Sequence, residues 1–234
     1  MPSIFEYVSR HKVKLALAAI LILAVFFRFY KLTELPPAFH VDEAINGIKS
    51  RQALLSGDFK FYYEIRSLAS INEDEEFSKE EKLTGEFLSS SHRKHMHETF
   101  GREGLYTNFG AISMWIFGDG PWSIRAVSAF FGAITVLGLF LMAREIFFRI
   151  EGRGKDPSTA WLPPPEVFAL LAAFFLAVSF WHVNFSRIGY RAILTPAVTV
   201  FLFYFLFKGL RGGRAGVNFL LAGALSGVGF HTYT

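Results

Sequence analysis

Cysteine is absent from the 234 residues, which excludes a disulfide framework and any thiolate metal site. A concentrated basic patch is missing too. The formal net charge is only +4 and the lysines and arginines gather at the ends of apolar runs, so nucleic-acid binding has little support. Inside the apolar runs charge is scarce away from their outer ends. This argues against a transporter, which needs charged or broken helices meeting near mid-membrane. No run between Lys31 and about Phe100 is apolar enough to cross a bilayer. Where a secretory signal would carry small residues for cleavage, Arg28, Phe29, Tyr30 and Lys31 stand instead, so the first apolar run is expected to remain in the protein.

What the chain has in abundance is apolar surface: 52% hydrophobic and 17% aromatic residues, with 28 phenylalanines, more than one water-soluble core of this size readily hides. The expectation is an all-α, polytopic transmembrane helical bundle with two amphipathic interfacial helices in its first outer loop. Residues 1–14 form a cytoplasmic start rich in basic side chains, and residues 15–30 a first span with Arg28 snorkelling to the far interface. Residues 31–121 form an outer loop. Further spans are predicted over 122–148, 166–185, 192–207 and 217–234, joined by a cytoplasmic loop 149–165, an outer turn 186–191 and a cytoplasmic loop 208–216. Arg144, Arg149, Arg153 and Lys155, and later Lys208, Arg211 and Arg214, agree with the amino-terminal cluster in marking one side as cytoplasmic. Ser128/Gly132 and Ala129/Ala133 are small residues four apart, suited to close helix contact. The last run stops without a basic anchor or polar tail, so the chain is expected to be a piece of a longer protein.

The outer loop carries the chemistry. Pro36 and Pro37 end the first helix, and AFHVDEAINGIKSRQALLSG follows. Over about 42–55 this reads as an interfacial helix with Val41, Ile45, Ile48, Gln52 and Leu55 on one stripe, and with Asp42 and Glu43 in the first turn facing water. A second such helix is predicted over 104–117 from Leu105, Phe109, Ile112, Trp115 and Ile116. Between them FKFYYEI suits a short strand, and the polar insert includes NEDEEFSKEEK, a solvated acidic run. His92, His95 and His97 lack the i,i+4 spacing of a helical metal site and have no framing carboxylate motif. No cofactor is implied, and a divalent metal finds no supporting ligand pattern. Asp42, Glu43, Arg102, Glu103 and Arg125 converge on the outer face, where charge beside an apolar boundary is costly. A carboxylate that deprotonates an acceptor while an arginine holds a lipid phosphate would suit glycosyl transfer from a lipid-phosphate sugar. Asp42 and Arg125 are expected to share one outer cavity. A non-catalytic membrane scaffold or receptor accounts for the helices and the polar loop equally well.

The order of these features resembles the multi-spanning GT-C glycosyltransferases. One spanning helix precedes an outer DE; an interfacial helix closing in FG, then WSIRAVSA and AREIF, follow. FWHVNFSRIGYRAILTPAVTVFLFYFLFKGLR and GVGFHTYT also look like members of this group. The branch in question includes protein O-mannosyltransferases and the aminoarabinose transferase of lipid A. The resemblance implies a polyprenyl-phosphate sugar as donor and a glycan, lipid or protein as acceptor. It further implies transfer with inversion on the extracytoplasmic side of a plasma membrane. Asp42, with Glu43 beside it, would be the base, and Glu103 and Arg125 would contact substrate, with Arg102, Arg187 and Arg191 around them. Arg191 stands where many members carry an acid, and the later helices of the family are not in this chain, so the isolated polypeptide is expected to be inactive.

Overall fold

The computed structural model describes residues 4–38, 40–60, 62–63, 102–151, 164–212 and 214–233. The acidic run and the three histidines of the polar insert lie outside these residues, as does most of the loop 149–165. Helix α1 spans Ile4–Phe29 and α2 spans Val41–Ser56, the latter closed by Gly57 in the left-handed conformation (φ 67°). Two-residue strands β1 (Tyr62–Tyr63) and β2 (Arg102–Glu103) pair antiparallel, with Tyr62 opposite Glu103. Helix α3 (Leu105–Phe117) ends at Gly118, and α4 follows over Pro121–Glu151. Helices α5 (Pro165–Val178) and α6 (Phe180–Arg187) meet at a 56° bend, and a 3₁₀ turn at Arg191–Ile193 leads into α7 (Leu194–Arg211) and α8 (Ala215–Gly229).

Small residues set the packing. Ala169, Ala173 and Ala177 are four apart on one face of α5, all fully buried against Ala24 of α1 and Val136, Phe140 and Ala143 of α4. The small pairs on α4 serve the same purpose. Ser128 and Ala129 are fully buried, and a methyl group on Gly132 would collide with Ser186 of α6. Ion pairing orients the helices: Glu145, near the end of α4 and 3% exposed, accepts from Arg211 at the end of α7 at 3.0 Å, so α4 and α7 run in parallel. The opposite end of the bundle carries α2, α3 and the start of α4.

By length and composition two helices can cross a membrane, Pro121–Phe147 and Arg191–Arg211, or three if the bent pair α5–α6 is one span. The five crossings predicted from the sequence add α1, whose apolar run is flanked by Lys12, Lys14 and Arg28, and α8, which is apolar but short. Two expectations are overturned. Arg28 does not snorkel. It is fully buried, donating to the carbonyls of Ala24 (3.0 Å), Ala177 (3.2 Å) and Leu176 (3.3 Å) and to Nδ1 of His182 (2.7 Å). The bundle also contains the broken helix that the sequence did not announce, with this buried cation at the break. The guanidinium caps the carbonyls that the bend at Ser179 releases from the helical ladder, so the break is closed by protein groups. Arg28 Nε and His182 Nε2 remain buried there without a partner.

The apolar stripes predicted for the two interfacial helices turn away from the bundle. In α2 the buried residues are Glu43, Asn46, Ser50 and Ala53, whereas Val41, Ile48 and Leu55 are exposed. In α3 Tyr106, Thr107, Gly110, Ala111, Ser113 and Met114 are buried, and Ile112, Trp115, Ile116 and Phe117 are exposed. The two helices pack on each other through their small and polar faces, and Ser50 Oγ donates to Thr107 O at 3.0 Å.

Candidate active site

The neighbours Asp42 and Glu43 lie about 100° apart around α2 and reach different surroundings. Glu43 points inward. Its carboxylate takes Arg125 Nε at 2.6 Å and Nη2 at 3.4 Å, and both side chains are at most 2% exposed. The rest of the Arg125 guanidinium holds the chain between α1 and α2, donating to the carbonyls of Leu32 (3.1 Å), Pro36 (3.0 Å) and Ala38 (3.4 Å). A guanidinium out of water needs such a full set of acceptors. Arg187 repeats the device at the end of α1, donating to the carbonyls of Phe27 (2.6 Å), Tyr30 (2.7 Å), Leu35 (3.2 Å) and Lys31 (3.4 Å). Arg28 of α1 caps the end of α5 while Arg187 of α6 caps the end of α1, a reciprocal lock.

These contacts correct several assignments. Glu43 is not a water-facing carboxylate, and Arg125 is not an open phosphate ligand at the membrane edge. A cavity of about 340 Å³ lies among α2, α3 and the start of α4, lined by Glu43, Gly47, Arg51, Met114, Asp119 and Ile124, and it is not the one expected to join Asp42 to Arg125. Glu103 is buried and ion-paired with Arg191. The turn before α7 therefore does meet a carboxylate, supplied by β2. Arg102 pairs through its backbone with Tyr63, and its side chain lies outside the described residues.

Asp42 takes the other direction. Its side chain is 30% exposed, with Oδ2 3.7 Å from His40 Nδ1. That nitrogen accepts the Asp42 backbone N–H at 3.3 Å, and 3.7 Å is too long for a hydrogen bond to the carboxylate. The His40 ring lies 6.3 Å from that of Tyr190, and Tyr190 Oη is 3.4 Å from Tyr233 Oη. The Arg191 guanidinium sits 4.8 Å over the Tyr233 ring. The hydrogen bond with Tyr233, then burial and nearby negative charge including that of Asp42, raise the Tyr190 hydroxyl to about 12.

A chain of hydrogen bonds fixes the turn that carries Tyr190 and Arg191. The Tyr190 backbone N–H donates to Ser128 Oγ (3.3 Å), which lies 2.7 Å from Tyr106 Oη, and Tyr106 donates to Ile124 O (2.9 Å). Burial pushes the Tyr106 hydroxyl pKa above its ordinary value. Asn46 of α2 donates to Gly189 O at 2.8 Å, and a methyl group on Gly189 would strike Ile124 and approach Glu43 Cγ to 2.9 Å. Of the predicted residues, then, Glu103 and Arg191 pair with each other, Asp42 adjoins His40, Glu43 and Arg125 form a buried knot, and Arg187 belongs to the lock on α1. Sequence reasoning missed His40, Tyr190 and Tyr233. Their only local signal is a polar aromatic beside a charge or a chain turn, in FHVDE, GYR and HTYT. Compared with protein-family models, curated proteins and solved structures, the chain matches none.

Proposed function

We propose that this chain acts as a GT-C-like integral-membrane glycosyltransferase. In this reading it transfers a sugar from a polyprenyl-phosphate donor to a glycan, lipid or protein acceptor on the extracytoplasmic side, with inversion. The reading takes α1 and α8 as completing a polytopic bundle, and puts the end rich in Arg144, Lys208 and Arg211 in the cytoplasm. Helices α2 and α3 lie along the outer interface, with Ile48, Leu55, Ile112, Trp115 and Ile116 against the lipid headgroup region. The observation that carries the proposal is the division of labour between two adjacent acids. Glu43 is consumed by a buried ion pair that anchors the outer loop, and Asp42 is left partly exposed at a polar edge that also bears Tyr190, Tyr233 and Arg191.

Asp42 acts as general base. Its carboxylate takes the proton of the acceptor hydroxyl as that oxygen attacks the anomeric carbon; the bond from that carbon to the phosphate oxygen breaks, and the lipid phosphate leaves with its electron pair. Arg191, partly exposed and paired with Glu103, replaces Arg125 as the cation facing the leaving phosphate. Glu43 and Arg125 are positioning residues. The test is sugar transfer in membranes supplied with polyprenyl-phosphate sugars, comparing the full-length gene product with its Asp42→Asn form at matched expression. Transfer should fall about 10²–10⁴-fold, because Asn keeps the shape of Asp but cannot take the proton. Transfer that survives the substitution overturns the role of Asp42, and no transfer by either form favours the scaffold reading.

A further inference from the structure

Three rings from three distant segments meet beside Asp42: His40 before α2, Tyr190 after α6, and Tyr233 beyond α8. They continue a row along α6, in which Trp181 and Phe185 stack at 6.4 Å, Phe185 lies 5.7 Å from Tyr190, and Tyr190 lies 6.2 Å from Tyr233. The two ends of this row differ. Trp181 and Phe185 are hydrocarbon surface, 70% and 42% exposed, as an aromatic belt at a membrane interface would be. The other end carries two hydroxyls, a carboxylate and a guanidinium, a set of donors and acceptors that can meet the hydroxyl groups of a polar ligand.

We propose that Tyr190 and Tyr233, with Asp42 at their edge and His40 alongside, form a seat for a pyranose ring. The axial C–H groups of such a ring carry partial positive charge and lie favourably on the negative face of an aromatic ring. Arg191 covers part of Tyr233, which is nevertheless 46% exposed. The paired tyrosine hydroxyls can each both donate and accept, and the Asp42 carboxylate accepts, so the sugar hydroxyls at the rim of a stacked ring find matching groups. The seat is held from below. The buried Glu103–Arg191 pair fixes the guanidinium, and the Asn46 to Gly189 and Tyr190 to Ser128 hydrogen bonds fix the turn. This inference rests on the glycosyltransferase reading for its substrate, and names the residues that would orient the transferred sugar.

The test uses the full-length protein in lipid nanodiscs with methyl mannopyranoside and methyl glucopyranoside as probes. Saturation-transfer NMR on ring C–H protons reads binding, and the membrane assay reads the donor KM. Tyr233→Leu and Tyr190→Leu should each weaken the ring-proton saturation and raise the donor KM by roughly three- to tenfold, the loss of one aromatic contact, with kcat changed less. Tyr233→Phe should keep most of the binding. Circular dichroism at matched concentration checks helix content. If one Leu variant fails to fold, the other decides, because the two rings lie on different segments. Unchanged saturation and KM in a folded Leu variant overturn the seat and leave the transferase reading standing. If the wild type transfers no sugar but its saturation signal is lost in the Leu variants, the seat stands and the transferase reading falls.

Discussion

The knot beneath α2 and the edge above it are built from adjacent residues and behave as opposites. In the knot Glu43, Arg125 and the carbonyls of Leu32, Pro36 and Ala38 are dry and mutually satisfied. At the edge Asp42, Tyr190 and Tyr233 keep part of their surface open. A buried charge with a full set of partners has nothing left to offer a substrate, so an acid of this kind stabilises architecture. A carboxylate in contact with both solvent and polar aromatics can still change partners. The difference teaches that identity and position in sequence do not assign a role to either acid, whereas the direction of its side chain does.

The comparison breaks most visibly if the knot is cut. Glu43→Gln leaves Arg125 buried opposite a neutral group and should destabilise the protein by about 3–5 kcal/mol, as removal of one partner of a buried pair does. Replacing both members, Glu43→Leu with Arg125→Met, should recover much of that loss, less whatever the freed carbonyls require. Chemical unfolding in detergent, compared with Asp42→Asn, gives the readout. The edge substitution should stay within about 0.5 kcal/mol of wild type, and an equal loss in both variants would erase the distinction.

A smaller effect is expected at the joint between the two regions. Gly189 lies against Ile124 and Glu43, and Gly189→Ala should cost about 1–3 kcal/mol by overpacking. Gly216→Ala, with nothing near the added methyl group, should cost nothing measurable. Thermal unfolding of the pair checks this. Because Gly189 precedes Tyr190, the first variant should also reduce sugar transfer, and the second should not.

The smallest effect is one of pH. The hydroxyls of Tyr106, against the knot, and Tyr190, at the edge, are both raised above the ordinary tyrosine value of about 10. A tyrosine favoured in its neutral form by folding contributes stability that is complete below pH 10. That contribution is lost as pH climbs from there toward the folded-state value. Unfolding midpoints measured from pH 9 to pH 11.5 should therefore decline, and Tyr106→Phe should flatten the slope. Absorbance of tyrosinate should show Tyr190 ionising near pH 12, while Tyr106 ionises only as the protein opens. An unchanged slope in Tyr106→Phe would remove the knot from the alkaline response.

Much of the helical framework was legible from local rules. Pro165 opens α5, Gly57 and Gly118 close α2 and α3, and the long apolar run from Trp122 reads as one helix because apolar composition and length are properties of a segment by itself. The sequence order also gathered Asp42, Glu43, Arg102, Glu103 and Arg125 as charges beside an apolar boundary, and Arg125 does pair with Glu43. Periodicity also showed which residues of α2 and α3 share a stripe. It could not show what covers that stripe. With small and polar side chains filling the contact between α2, α3 and α4, and with the bulky apolar ones turned outward, the faces took the reverse of the arrangement a water-soluble helix would adopt. Tertiary structure alone decided that Glu43 is the buried acid, because its arginine stands 82 residues away. It likewise decided that Arg28 caps a broken helix 149 residues downstream, and that Tyr190 meets a second tyrosine 43 residues on. The physical reason is common to all three. A polar group leaves water only where its partners already stand, and those partners come from segments whose meeting is set by helix packing.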